Sequence, residues 1–141
     1  MTRPAQSALV LQGGGALGAF EFGAVQALYE QNITPDVIAG VSIGAVTAVL
    51  LARPAQSLGP LGALEAFWKK VTLRAYSFPP PLRPYASFLG NPHFFSLRPD
   101  FFTWPLTGPF WTYFYNTKPL KDTLRELVDL EKLKEPDADP P

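Results

Sequence analysis

Gly40-Val41-Ser42-Ile43-Gly44 has the pattern Gly-x-Ser-x-Gly. It stands between an apolar tripeptide and an apolar run of helical length, the context of a nucleophile elbow. The chemistry is acyl transfer. A serine hydroxyl at a tight strand-to-helix turn is thrust out to meet a carbonyl carbon, and its neighbours Gly40 and Gly44 must be small for the turn to close. The helix beyond points its N-terminus at the site and favours developing negative charge. The Ile43 N–H is then free to meet an oxyanion.

Gln12-Gly13-Gly14-Gly15-Ala16-Leu17-Gly18 is a second feature of the same kind. Backbone N–H groups in a glycine run at the start of a helix cradle an anion. In an acyl-transfer enzyme the anion is the tetrahedral oxyanion. In a nucleotide enzyme it is a phosphate, and Gly13, Gly15 and Gly18 also satisfy the dinucleotide fingerprint. That fingerprint needs an acidic residue at the end of the second strand. Asp36 stands at its start instead, and Gly40-Val41-Ser42 occupy the end. A third reading gives the glycines only a packing role between strand and helix.

The serine requires a base. His93 is the single histidine, and it lies in the aromatic, proline-rich stretch Asn91-Pro92-His93-Phe94-Phe95. It reads as an ordinary loop residue rather than a triad member. None of the six aspartates, Asp36, Asp100, Asp122, Asp129, Asp137 and Asp139, sits in an Asp-Gly turn after a strand. The base is expected outside these residues.

The elements that position these loops follow from periodicity. Ala8 to Leu11 is a short continuous apolar run, expected to be a strand buried on both faces. Ala16 to Gln31 carries Phe20, Ala24, Ala27 and Leu28 at helical spacing, with Asn32 as its stop and Pro35 beyond. Val37 to Ala39 is a second strand, and Ile43 to Ala52 a nearly all-apolar, buried helix. Helices are also expected over Leu61–Leu73 and Pro119–Lys134, the second with an amphipathic stripe of Leu120, Leu124, Leu127, Val128 and Leu130. Twelve of the sixteen prolines lie at or after Pro79, and residues 76–116 show no regular period. The tail, residues 135–141, is expected to be disordered. Two parallel strands need further partners. The chain thus reads as the opening βαβα segment of a larger α/β domain.

Composition removes other classes. The 141 residues are 47% hydrophobic and 17% charged, with twelve basic and twelve acidic side chains and a formal net charge of zero. No basic patch points to nucleic acid. There are no cysteines, so disulfides and thiolate metal sites are excluded. No metal is expected. The longest apolar stretch, Val37 to Ala52, is shorter than a bilayer span of roughly 20 residues, and the polar N-terminus has no leader-like core. A cytoplasmic chain with peripheral membrane contact is the expectation.

The two loops together, over about residues 8–52, resemble the patatin-like phospholipase family, and a weaker likeness to its bacterial members continues through Thr117-Lys118-Pro119-Leu120 to Val128. The resemblance implies the N-terminal βαβα portion of a three-layer α/β/α hydrolase domain with a mainly parallel sheet, occupying residues 1–134. It implies Ser42 as the nucleophile of a Ser-Asp dyad, Gly13, Gly14 and Gly15 as oxyanion donors with Ile43, a lipid or acyl-ester substrate, and no cofactor. The family's Asp-Gly-Gly or Asp-Gly-Ala motif is expected beyond this chain, so that the missing C-terminal part of the domain is needed for turnover. Leu17 stands where many members carry Arg or Lys. A non-catalytic lipid- or membrane-binding relative is the alternative. From Phe94 to Tyr115 there are ten aromatics, read as a loop packed over the sheet in preference to an acyl-chain groove, a lid or an interfacial anchor.

Overall fold

A computed structural model describes residues 6–72, 79–81, 90–91, 93–98 and 115–131. The tail and most of the aromatic stretch lie outside the described residues. The chain forms two compact units, Met1–Ala66 with Leu127–Pro141, and Phe67–Glu126.

In the first unit, β1 (Ala8–Leu11) leads through a 3-10 turn (Gly15–Leu17) into α1 (Gly18–Glu30), then β2 (Val37–Gly40) and α2 (Ile43–Ala52). The strands pair in parallel, Ala8 opposite Val37 and Leu11 opposite Gly40, as a βαβ crossover requires. Asn32 ends α1 in the left-handed region at φ 58°, and Ile33 N–H closes the turn onto the Leu28 carbonyl at 2.9 Å. Asparagine tolerates this conformation, which explains its place at the stop.

The expectation that β1 is buried on both faces is corrected. Leu11 is buried and Leu9 half-buried, whereas Ala8 and Val10 are exposed; in β2, Ile38 and Gly40 are half-covered and Val37 and Ala39 exposed. Side chains alternate along a strand, so one sheet face is covered and the other is open. Helix α1 is similarly one-sided. Val25 is buried, but Phe20, Ala24 and Ala27 are exposed. The apolar spacing identified a helix but not its inward face. The core gathers Leu11, Val25, Ile43, Leu50, Leu51 and Leu64.

Helix α3 (Pro60–Val71) runs from the first unit into the second. Among the described residues the second unit carries three short antiparallel strands, β3 (Gly90–Asn91), β4 (Phe95–Leu97) and β5 (Tyr115–Asn116), within a stretch where no long element was expected. Strands of two or three residues leave no periodicity to read. Phe67, Phe94, Phe95 and Tyr115 meet in succession, the first pair tilted and the next two edge-to-face, at centroid distances of 6.3, 6.1 and 5.0 Å. These described aromatics pack together. Phe101, Phe102, Trp104, Phe110, Trp111, Tyr113 and Phe114 lie outside the described residues.

The last helix among the described residues, α4 (Lys118–Leu127), starts where the Asn116 side chain accepts the Lys118 N–H at 2.9 Å. Its expected end at Lys134 is corrected to Leu127. There the backbone leaves the helix to bridge Pro54, with Ala55 N–H on the Leu127 carbonyl at 2.9 Å and Asp129 N–H on that of Arg53 at 3.0 Å. A pairing distant in sequence outweighs the local stripe, and Leu130 falls outside the helix.

Candidate active site

Ser42 is the residue between β2 and α2, and its backbone is at φ 55°, ψ −121°. Serine rarely occupies this region, which costs of order 1–3 kcal/mol and persists only when its surroundings enforce it. The enforcing contacts are visible. A methyl group added at Gly40 would stand 2.3 Å from the Gly44 carbonyl oxygen. One added at Gly44 would stand 2.6 Å from the Leu11 oxygen and 2.7 Å from that of Gln12. Both positions exclude any side chain, so the Gly-x-Ser-x-Gly spacing reflects steric need on each side of the serine. The turn closes with Gly44 N–H on the Val41 carbonyl at 2.9 Å and Ala45 N–H on that of Ser42 at 3.0 Å.

The glycine loop lies directly alongside. A Cβ at Gly13 would meet the Ser42 Cβ at 3.1 Å and its Oγ at 3.9 Å. Gly15 adopts φ 57°, in the left-handed region. Gly13, Gly14, Gly15 and Ser42 are all exposed. Gly15 and Ile43 each open a helical turn, where N–H groups have no intrahelical partner. Among the described residues no backbone acceptor takes the N–H of Gly13, Gly14, Gly15 or Ile43. The sequence-predicted set Gly13, Gly14, Gly15, Gly40, Ser42, Ile43 and Gly44 is therefore brought together at the C-terminal edge of the two strands. This is the edge at which open α/β sheets bind ligands.

One residue at this edge was missed in the sequence. Glu21, in the first turn of α1, accepts the Gln12 N–H on Oε1 at 2.7 Å. An acidic residue early in a helix is ordinary, so its type alone gave no signal.

Asp36 resolves the dinucleotide alternative. Its Oδ2 takes the Ser7 N–H at 2.7 Å and the Ser7 hydroxyl at 3.0 Å. It clips together the opposite ends of β1 and β2, roughly 10 Å of strand from the glycine loop, and is out of place for a ribose. These hydrogen bonds from Ser7, the backbone one foremost, hold its carboxyl below the usual aspartate range.

His93 belongs to the second unit. It lines an open hollow of about 310 Å³ whose charged walls include Lys70, Lys118, Asp122 and Glu126. Its backbone is fixed by Asn91 and Thr123, with His93 N–H on Asn91 Oδ1 at 3.0 Å and Thr123 Oγ1 on the His93 carbonyl at 2.8 Å. Among the described residues no side chain hydrogen-bonds Ser42 Oγ, and no group of three or more acidic or histidine side chains could hold a metal ion. No described helix is long and apolar enough to cross a membrane.

The chain has relatives among known proteins. The chain is 41% identical over 59 residues to lysophospholipase NTE1 of Mycosarcoma maydis, covering 42% of this chain and 3% of that protein. It is 44% identical over 46 residues to triacylglycerol lipase SDP1L of Arabidopsis thaliana, covering 33% of this chain and 6% of that protein. With triacylglycerol lipase 4 of Saccharomyces cerevisiae it shares 46% over 46 residues, 33% of this chain and 5% of that protein. The chain thus spans only a few per cent of the length of these relatives. No solved structure matches. The profile of the family described as patatin-like phospholipase matches residues 9–141, and the chain belongs to that family.

Proposed function

We propose that this chain carries the nucleophile and oxyanion loop of a serine-dependent lipid acyl hydrolase, with Ser42 as nucleophile. The observation that supports it most is the enforced φ 55° backbone of Ser42 with Gly13 packed against its side chain. A turn needed only for packing has no reason to hold a serine in a strained conformation beside free N–H groups.

Ser42 Oγ attacks the acyl carbonyl carbon and the hydroxyl proton passes to a carboxylate base. The tetrahedral oxyanion is met by N–H groups of Gly13, Gly14, Gly15 and Ile43, with the α2 N-terminus adding its dipole. The alkoxide leaves with a proton, and water then releases the fatty acid from the acyl-enzyme. The base is an aspartate of a Ser-Asp dyad supplied from beyond this chain. Relatives named lysophospholipase and triacylglycerol lipase support a lipid acyl ester as substrate. So do the exposed apolar side chains of Leu17 and Val41, which flank the glycine loop and Ser42, and which suit peripheral contact with a lipid surface.

The experiment is hydrolysis of a short-chain p-nitrophenyl ester. This chain alone is expected to show no turnover above its Ser42→Ala variant. Supplying the C-terminal part of a patatin-like domain is expected to restore serine-dependent turnover. Serine-dependent turnover by the chain alone would place a base within these residues and overturn the external dyad. No turnover in either case, with Ser42 inert to an alkyl fluorophosphonate, would leave the non-catalytic lipid-binding alternative.

A further inference from the structure

The Leu11–Gln12 peptide is held on both sides. Its N–H donates to Glu21 Oε1 at 2.7 Å. Its carbonyl oxygen, that of Leu11, accepts the Val41 N–H at 3.1 Å and lies 2.6 Å from where a Cβ on Gly44 would stand. The next residue, Gly13, is the one packed against Ser42. Glu21 reaches this peptide from α1, the helix that the glycine loop itself opens. The carboxylate thus ties the far side of the loop back to its beginning. Its other oxygen, Oε2, is enclosed and has no hydrogen-bond partner. An enclosed acceptor left unmet costs folding free energy and calls for an explanation.

We propose that Glu21 is a positioning residue for the oxyanion loop. It touches neither substrate nor Ser42. By holding the Gln12 N–H it fixes the plane of the Leu11–Gln12 peptide, the last before the peptide that enters Gly13, and so sets the direction from which the glycine run brings the N–H groups of Gly13 to Gly15 to the oxygen borne by the carbon that Ser42 attacks. A glycine run without such a tether samples many conformations, since each glycine has access to both signs of φ. The tether removes that freedom before substrate arrives, which is the form of preorganisation that oxyanion stabilisation requires.

The proposal rests on the reading of Ser42 as nucleophile, and its test separates the two. The whole chain is treated with an excess of a neutral alkyl fluorophosphonate at alkaline pH, where hydroxide takes the serine proton in place of the external base. The Ser42 Oγ–P bond forms, the P–F bond breaks and fluoride leaves, while the phosphoryl oxygen occupies the oxyanion position. The labelling rate at Ser42 is read by mass spectrometry for the unaltered chain and for Glu21→Ala, Glu21→Gln and Val25→Ala. Val25 is buried on the same helix, one turn beyond Glu21, so its truncation removes α1 packing while the Glu21 carboxylate is kept.

Glu21→Ala is expected to slow labelling by about tenfold or more, since misplacement at a reacting centre is costly. Glu21→Gln keeps an acceptor oxygen and is expected to restore most of the rate. Val25→Ala is expected to label at close to the unaltered rate while melting at a lower temperature. Equal rates for Glu21→Ala and the unaltered chain overturn the proposal. So does a Val25→Ala chain as slow as Glu21→Ala, which would make the effect one of general stability, or a glutamine variant as slow as alanine. Absence of labelling at Ser42 in the unaltered chain defeats the nucleophile reading itself, and the positioning role falls with it.

Discussion

Gly44 lies so close to Leu11 that a methyl group on its Cα would stand 2.6 Å from the Leu11 carbonyl oxygen. The same oxygen accepts the Val41 N–H at 3.1 Å. The end of β1 and the start of α2 are thus in backbone contact, and this contact seats the glycine loop beside Ser42.

Gly44→Ala is therefore expected to be among the most damaging single substitutions in the first unit. The atoms it meets are backbone and cannot rotate away, so the loss is about 3 kcal/mol or more. Gly23→Ala is the matched control. Nothing lies within 4 Å of its Cβ position, and it sits within α1, where alanine gains about 0.5–1 kcal/mol over glycine. Urea midpoints should move in opposite directions for the two variants. Comparable losses for both would contradict the close packing at Gly44.

Ser42 should trade stability against reactivity. Ser42→Gly relieves the cost of φ 55° and is expected to raise stability by about 1 kcal/mol or more. Ser42→Ala keeps the Cβ and the strain and should leave stability nearly unchanged. Both remove fluorophosphonate labelling. A glycine variant no more stable than the alanine one would mean that the turn is relaxed.

Much of this edge was legible in the sequence because its constraints are local. Gly40 and Gly44 are fixed by contacts within a few residues or with the adjoining strand, and Asn32 ends α1 by its own tolerance of positive φ. What could not be read depends on distant partners. Val10 lies in an apolar run that fits a buried strand, yet its side faces outward. The covered face is set by where α1 and α2 pack. Leu130 continues a helical stripe, but the backbone departs at Val128 to bridge Pro54. Glu21 carries no motif of its own, and its tether to Gln12 appears only once the loop has folded back over α1.

Asp36 gives a stability that depends on pH. Its folded-state carboxyl is held below the ordinary aspartate range by the Ser7 backbone and side-chain hydrogen bonds. A lowered folded pKa means that the ionised form is favoured by folding. The contribution is fully present above the unfolded value of about 3.9 and is lost as pH falls from there through the lower folded value. The stability difference between the unaltered chain and Asp36→Asn should thus be constant from about pH 5 to 7 and shrink below about pH 4. Chemical denaturation across that range checks it. A difference that grows on acidification would show that the Ser7 contacts do not favour the carboxylate.

The open faces of the first unit should make the chain associate. Val10 is 72% exposed on the uncovered side of the sheet, and Phe20 is 82% exposed on α1. Exposed apolar surface of this kind promotes self-association unless a partner covers it, and strands with unpaired edges add backbone donors and acceptors to the tendency. In a complete three-layer domain a second helical layer and further strands would cover such faces. The chain alone is therefore expected to sediment as a concentration-dependent mixture and to unfold over a broad temperature range. Phe20→Glu with Val10→Thr should shift the distribution toward monomer while leaving Ser42 labelling in place, because neither side chain supports the Ser42 turn. A monomeric sample of the unaltered chain with one sharp, reversible thermal transition would defeat this prediction, and would show that the residues present suffice for an independent fold.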